Sequence, residues 1–159
     1  MDSLDQELVA SAEDGDIDAV EQLIAEGANV NYVNADDGST ALMVAAEVGH
    51  ASIVRLLIHS NSDANRSGDI GSEAGWSPLM AASINDHAEI VSTLLEDGGA
   101  DVDQVDGKGI TALAWVRNTF SIVCLSQVFF CSRKFCSKQP LFARLRLVLL
   151  CSPPFSNSR

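Results

Sequence analysis

Several residue types are absent from either the N-terminal or the C-terminal part of the 159-residue chain. No Asp or Glu follows Asp106, no Gly follows Gly109, and neither Phe nor Cys precedes position 120. Positions 1–116 hold 22 acidic and three basic residues, whereas seven basic and no acidic residues follow, so formal charges of -19 and +7 make up the total of -12. A change of this size predicts a boundary between two parts of different character.

Targeting and membrane-spanning signals are also lacking. The first residues, MDSLDQELVASAEDGD, contain no basic segment followed by an apolar one, so they do not form a secretory signal. The longest apolar run, 120–131, has 12 residues, whereas a spanning helix needs roughly 20. We therefore expect no integral membrane segment and a cytoplasmic or nuclear location, in a reducing compartment.

Motifs for catalysis and for metal or phosphate binding are missing as well. His50 and His87 share one repeat position, which favours structural hydrogen bonding over catalysis, and the GKG at 107–109 lacks the rest of a phosphate loop. No CxxC spacing occurs among the four cysteines, which are Cys124, Cys131, Cys136 and Cys151. We therefore predict no catalytic residue, no metal site and no cofactor.

What the chain does contain is an internal repeat. Segments 8–31, 42–65 and 79–103 superpose, and the leucines that open the successive units lie 34, 37 and 34 residues apart, at Leu8, Leu42, Leu79 and Leu113. The extra residues fall between Asn65 and Gly75. A period of about 33 residues is typical of a stacked repeat architecture.

One unit predicts two helices and a turn-rich connection. In the second unit, Leu42 and two alanines give a short helix with a small face, and Gly49 ends it because glycine tolerates positive φ. A second helix follows over 53–58, where every residue except Arg55 is apolar. Such a unit cannot bury its apolar face alone, and stacking buries it.

The repeated residues resemble those of the ankyrin repeat family. The resemblance covers roughly residues 3–115 and rests on the motifs GSTAL (38–42), WSPL (76–79), GANVN (27–31), GADVD (99–103) and DGKGIT (106–111). It implies an all-α solenoid of stacked helix–turn–helix units with hairpin-like loops, followed by an irregular tail. The implied domain is 1–115, with repeats at 3–33, 34–70, 71–105 and a partial repeat at 106–115.

Two details bear on local geometry. Ser3 and Asp5 stand where N-caps of the first helix are expected. Asp86 replaces the expected turn glycine, which leaves open the geometry of the turn between the two helices of the third unit.

The fourth repeat departs from the pattern after Ala114. Trp115 is interpreted as filling a small, close-packed position, where overpacking costs about 1–3 kcal/mol. The divergent, basic, Phe- and Cys-containing tail at 116–159 is expected to be poorly ordered, with one helix at 120–131. A translated intron or a shifted reading frame is favoured as its origin, and a genuine divergent extension is the alternative.

The resemblance implies a non-enzymatic protein-interaction module, a scaffold or an adaptor, that binds a protein on a concave acidic face. Glu13 and Asp14 are variable surface positions in the first unit, and Trp76 is the expected anchor. An acidic rim attracts a basic partner and repels nucleic acid. The predicted partner-binding residues are Asp36, Asp37, Ser39, Glu47, Val48, Glu73, Trp76, Ile84, Asn85 and Lys108.

Other functions stay open. Alternatively, the stacked repeats are the targeting arm of a larger ankyrin-repeat enzyme, such as a ubiquitin ligase or a kinase. The rest of that enzyme would then be lost after the fourth repeat begins. A third reading is recruitment to a membrane surface by the basic tail. Exposed Phe and Leu in that tail also favour self-association.

Overall fold

The computed structural model describes residues 2–68 and 75–119, and within these ranges the chain forms seven helices and no strand. This confirms the predicted all-α class. The predicted helix at 120–131, the rest of the tail and Glu73 lie outside the described residues. The helices are α1 (Asp2–Asp14), α2 (Ile17–Ala25), α3 (Ala41–Val48), α4 (Ala51–His59), α5 (Pro78–Ile84), α6 (Ala88–Glu96) and α7 (Ala112–Thr119).

The first helix of each central repeat is delimited by residues suited to helix ends. Thr40 Oγ1 accepts a hydrogen bond from the Met43 backbone N–H at 3.2 Å, and Ser77 Oγ accepts one from Met80 at 3.3 Å. Both residues therefore cap the free N–H groups of a first turn. At the other end of α3, Gly49 adopts φ +103°, a left-handed conformation that glycine takes without strain.

The helices pack in two layers. Neighbours α1, α3, α5 and α7 lie side by side in an inner layer, and α2, α4 and α6 form an outer layer. Each outer helix also packs on the inner helix of its own repeat. This arrangement confirms the repeat solenoid expected from the 33-residue period.

The core repeats with the sequence. Leu8, Leu42 and Leu79, at equivalent offsets in the inner helices, are all at most 1% exposed. In the outer layer Val54 and Val91 are fully buried, as is Val20 in the first repeat. Each repeat thus buries its apolar side chains against its neighbours, as expected for units that are not stable alone.

Hairpin-like connections project beside the inner layer. Isolated antiparallel bridges join Gly68 to Trp76 and Val105 to Thr111. Gly68 lies so close to the preceding hairpin that a Cβ there would stand 2.9 Å from the Gly38 carbonyl oxygen. The described parts of these connections therefore pack closely against one another.

The prediction that Ser3 and Asp5 are N-caps is wrong. Ser3 and Asp5 lie inside α1, which begins at Asp2, so neither is an N-cap. Instead, Asp5 Oδ1 accepts a hydrogen bond from the Asn29 backbone N–H at 2.6 Å and ties α1 to the turn after α2. Asp86 adopts φ +60°, the left-handed region that Gly49 also uses, so the turn is retained. Asp is among the few non-glycine residues that visit this region.

No helix in the described ranges is long and apolar enough to cross a membrane.

Candidate functional site

The exposed side of the inner layer, with the adjoining hairpins, is called the inner face here, and it carries two adjoining cavities. The first cavity has a volume of about 360 Å³ and lies over α1 and α3. Its acidic lining residues are Glu13, Asp37 and Glu47, all exposed. The remaining lining residues are Gln6, Val9, Ala10, Asn34, Ser39, Met43, Val44, Val48, Gly68 and Trp76.

The second cavity, of about 330 Å³, lies towards the C-terminal end of the stack. Its lining residues are Glu47, Trp76, Ile84, Asn85, Asp106, Lys108 and Trp115. Glu47 and Trp76 line both cavities and therefore mark where one ends and the other begins.

An aromatic pair forms one wall of the second cavity. The ring centroids of Trp76 and Trp115 are 5.4 Å apart, and the ring planes meet at 75°. This edge-to-face geometry is the favoured arrangement of two aromatic rings, worth about 0.5–1.5 kcal/mol beyond the area that they bury. The pair therefore gives the cavity a fixed apolar wall that joins the third repeat to the fourth.

Asp106 holds this wall in place. Its Oδ1 accepts hydrogen bonds from the backbone N–H groups of Lys108 at 2.9 Å and Ile110 at 2.8 Å. Its Oδ2 accepts one from Trp115 Nε1–H at 3.2 Å. Burial raises the pKa of the carboxyl, but these hydrogen bonds and the nearby Lys108 charge outweigh burial and leave the pKa below its ordinary value. Asp106 is thus ionised and already paired with protein donors.

The expected overpacking by Trp115 does not occur. Trp115 stands at the offset of Val44 in the second repeat, which is half-buried on the inner face, and not at that of the fully buried Ala45. Its ring is itself half-buried, against Trp76 and Asp106. The prediction was wrong because the residue was aligned one position away from where the helix places it.

The two cavities collect eight of the ten predicted site residues. The first contains Asp37, Ser39, Glu47, Val48 and Trp76, and the second adds Ile84, Asn85 and Lys108. Asp36 is exposed in the hairpin but does not line either cavity. Val48 is 48% exposed, which leaves it available for contact.

Sequence reasoning missed two residues that shape the second cavity, Trp115 and Asp106. The repeat register contains a signal for the first, because positions 10 and 44 at the same offset both line the first cavity. The hairpin brings Asp106 into contact with Trp115, nine residues later in the chain, and no local sequence motif predicts that contact.

Neither repeated histidine lies in a catalytic arrangement. His50 Nε2–H donates to the Glu13 carbonyl oxygen at 3.1 Å, and His87 Nε2–H donates to that of Glu47 at 3.0 Å. Both side chains thus bridge to the preceding repeat, which confirms the predicted structural role. No group of His, Cys, Asp and Glu in the described ranges is arranged to hold a metal ion. The arrangement on the inner face is suited to binding, by shape, apolar contact and charge.

Comparisons with known proteins agree with this architecture. A family model described as "Ankyrin repeats (3 copies)" matches residues 8–115. The chain is 38% identical over 99 residues to ankyrin repeat and SAM domain-containing protein 6 of Mus musculus. It is 39% identical over 100 residues to glycerophosphocholine phosphodiesterase gde1 of Schizosaccharomyces pombe, and 35% identical over 114 residues to inactive serine/threonine-protein kinase TEX14 of Mus musculus. These alignments cover 62%, 62% and 72% of this chain but only 11%, 8% and 7% of the relatives' lengths.

Proposed function

The chain belongs to the ankyrin repeat family, and from that premise we propose that it is a non-enzymatic binding protein that holds a basic protein partner on its inner face. Ankyrin repeats are protein-interaction modules. The basic partner and its location on the inner face are inferred from the two adjoining cavities, because these combine exposed carboxylates with a fixed aromatic wall.

Charge supports a basic partner and not a nucleic acid. Glu13, Asp37 and Glu47 project into the first cavity, and the described residues around them include no basic one. Opposite charges steer a partner to such a surface, whereas phosphate groups are repelled from it.

Site-specific photo-crosslinking tests the location of the surface. A benzoylphenylalanine replacing Val48 on the inner face should trap a protein partner, whereas one replacing the exposed Glu21 on α2 serves as the matched outer-layer control. For the trapped partner, Trp76→Ala should weaken binding more than about fivefold, since aromatic anchors dominate interface energies. Raising the NaCl concentration should weaken binding further.

Two results would refute this location of the site. One is crosslinking as efficient from position 21 as from position 48. The other is a complex that is insensitive both to salt and to Trp76→Ala.

The relatives favour a second candidate, in which these repeats are the targeting arm of a larger protein. The chain matches less than an eighth of the length of each relative named above, and one of those is a phosphodiesterase and another an inactive kinase by name. Full-length transcript sequencing distinguishes the two candidates. A targeting arm predicts transcripts in which a completed fourth repeat leads into a further domain, and transcripts that all encode the present residues 116–159 contradict it.

A further inference from the structure

The two cavities on the inner face differ in charge. In the first, Glu13, Asp37 and Glu47 are exposed carboxylates, and none of its described lining residues is basic. Asp37 Oδ1 accepts hydrogen bonds from the Ser39 N–H and Oγ–H, at 2.9 and 2.7 Å, which fix the position of that carboxylate. A cation that enters this cavity therefore meets negative groups contributed by two inner helices and a hairpin.

The second cavity is less negatively charged than the first. Its lining holds the carboxylates of Glu47 and Asp106 and the exposed Lys108, a formal charge of -1 against -3 for the three carboxylates of the first cavity. Asp106 is buried, and its hydrogen bonds from two backbone N–H groups and an indole N–H satisfy its carboxylate within the protein. The remaining lining residues are the exposed Asn85 and the half-buried Trp76, Trp115 and Ile84, so most of the remaining wall is apolar. An apolar side chain is therefore the better fit here.

We propose that the inner face selects a two-part peptide segment, with a Lys or Arg side chain in the first cavity and an apolar side chain in the second. This inference rests on the proposed function and adds the chemistry of the partner and its direction along the repeats. The cation lies towards the first repeat, and the apolar anchor lies towards the fourth. Each cavity, at about 360 and 330 Å³, is at the lower end of the range for small-molecule sites and admits one large side chain.

The packing of the inner layer sets the spacing of the two anchors. The first cavity lies over α1 and α3, and the second extends from Glu47 on α3 to Trp115 on α7. Packed helices lie about 8–10 Å apart, and the cavity centres are about one and a half helix spacings apart, which is roughly 12–15 Å. An extended chain advances about 3.3 Å per residue. The two anchors are therefore expected about four to five residues apart in an extended segment.

Selection from a display library of random twelve-residue peptides tests this inference on the full chain. Peptides enriched on the wild type should pair a Lys or Arg with an apolar residue at that spacing. Synthetic copies should change tryptophan emission, because both tryptophans of the chain line the second cavity. Replacing the apolar anchor of a peptide by Ser should abolish that change, and replacing its cation by Gln should weaken binding without abolishing it.

Charge variants separate the two cavities. The triple variant E13Q/D37N/E47Q should lower the affinity for an enriched peptide at least about tenfold, because the three carboxylates that face the cation are removed. The matched control E21Q/E26Q/E96Q removes three exposed carboxylates from the outer layer and its ends, and it should change affinity less than twofold. Lys108→Glu makes the second cavity acidic and should shift selection there from an apolar residue to a basic one.

The outcomes also separate this inference from the proposed function. Enriched peptides that bind the inner face, and lose binding with Trp76→Ala, but show no preference for a cation would overturn the two-part segment alone. Equal effects of the two triple variants would overturn it as well. Enrichment only of peptides indifferent to every inner-face variant, or no enrichment at all, would contradict both proposals.

Discussion

Individual glycine–histidine contacts join successive repeats at the turns between inner and outer helices. A Cβ on Gly15 would lie 2.5 Å from the ring of His50, and one on Gly49 would lie 2.6 Å from the ring of His87. The same imidazoles donate to carbonyls of the preceding repeat. Glycine is thus required at these turns for two reasons, the positive φ and the space that the next histidine occupies.

Gly15→Ala separates these two reasons when it is compared with Gly27→Ala. Both glycines have positive φ, +81° and +95°, but nothing lies within 4 Å of a Cβ at Gly27. The left-handed backbone alone costs an alanine about 1–2 kcal/mol. Gly15→Ala should lower the free energy of unfolding by at least about 1 kcal/mol more than Gly27→Ala, measured by urea denaturation. His50→Ala should cost less in the Gly15→Ala protein than in the wild type. Equal losses of unfolding free energy in the two glycine variants would show that the His50 ring moves away from the added Cβ without a cost in stability.

Asp106 is expected to make stability depend on pH in acid. Because its pKa is lower in the folded chain than in the unfolded one, its ionisation stabilises the fold. That stabilisation is fully present above the unfolded-state pKa of about 4, and it is lost as pH falls through the folded-state pKa. Asp106→Asn should cost about 1–3 kcal/mol at pH 7, because the amide NH₂ cannot accept from Trp115 Nε1–H.

The pH profile of this variant provides the check. The difference in unfolding free energy between the wild type and Asp106→Asn, followed by circular dichroism, should narrow as pH falls below about 4. The exposed Asp36→Asn is the control and should show a smaller difference at neutral pH. A difference that stays constant from pH 7 to pH 3 would exclude the Asp106 carboxylate as its source.

At the scale of elements, asparagine side chains link the turns that follow the outer helices. Asn31 Oδ1 accepts from the Asp63 backbone N–H at 2.7 Å, and Asn65 Oδ1 accepts from that of Asp101 at 2.6 Å. Asn65 Nδ2 also donates to the Gly99 carbonyl at 3.3 Å. Each asparagine thus ties its own repeat to the next one through backbone groups.

Asn65→Ala should loosen the junction between the second and third repeats. Loss of both side-chain hydrogen bonds is expected to cost about 1–2 kcal/mol, and Asn65→Asp, which keeps the acceptor, should cost about half as much. Hydrogen exchange at the Asp101 amide should accelerate in Asn65→Ala. Asn34→Ala is the control, because the Asn34 side chain accepts from Asp36 within one hairpin. An Asp101 amide that exchanges equally fast in both variants would contradict the link.

The elements also show what a sequence can predict. Helix positions and the buried leucines follow from local chemistry that recurs in every repeat, so three copies reinforce one another. The position of α1 was predicted less well because a first repeat has no preceding unit, and Asp5 contacts Asn29 instead of capping its own helix. Trp115 was misjudged because it was aligned one position away from Val44, whereas its contacts with Trp76 and Asp106, which belong to other elements, could not be predicted from the local sequence. Contacts of that kind depend on how the repeats stack.

At the scale of the whole molecule, the distribution of charge sets the balance of electrostatic energy. Positions 1–116 carry 22 acidic and three basic residues. Among the described residues, Arg55 and Glu89 form an ion pair, with a 2.7 Å contact between side chains that are 54% and 64% exposed. An exposed pair of this kind contributes at most about 1 kcal/mol. Repulsion between carboxylates is therefore expected to outweigh attraction in the repeat array.

Salt should consequently stabilise the full chain. Raising NaCl from about 20 to 500 mM shortens the screening length from roughly 20 Å to below 5 Å, so repulsion between carboxylates on neighbouring repeats fades. The free energy of unfolding is expected to rise by about 1 kcal/mol, as measured by urea denaturation at pH 7. The increase should be smaller in E13Q/D37N/E47Q, which removes three exposed carboxylates. A stability that falls with added NaCl would mean that attractive pairs dominate. The acidic character of the inner face would then be matched by cations of the chain itself and would not be available to attract a basic partner.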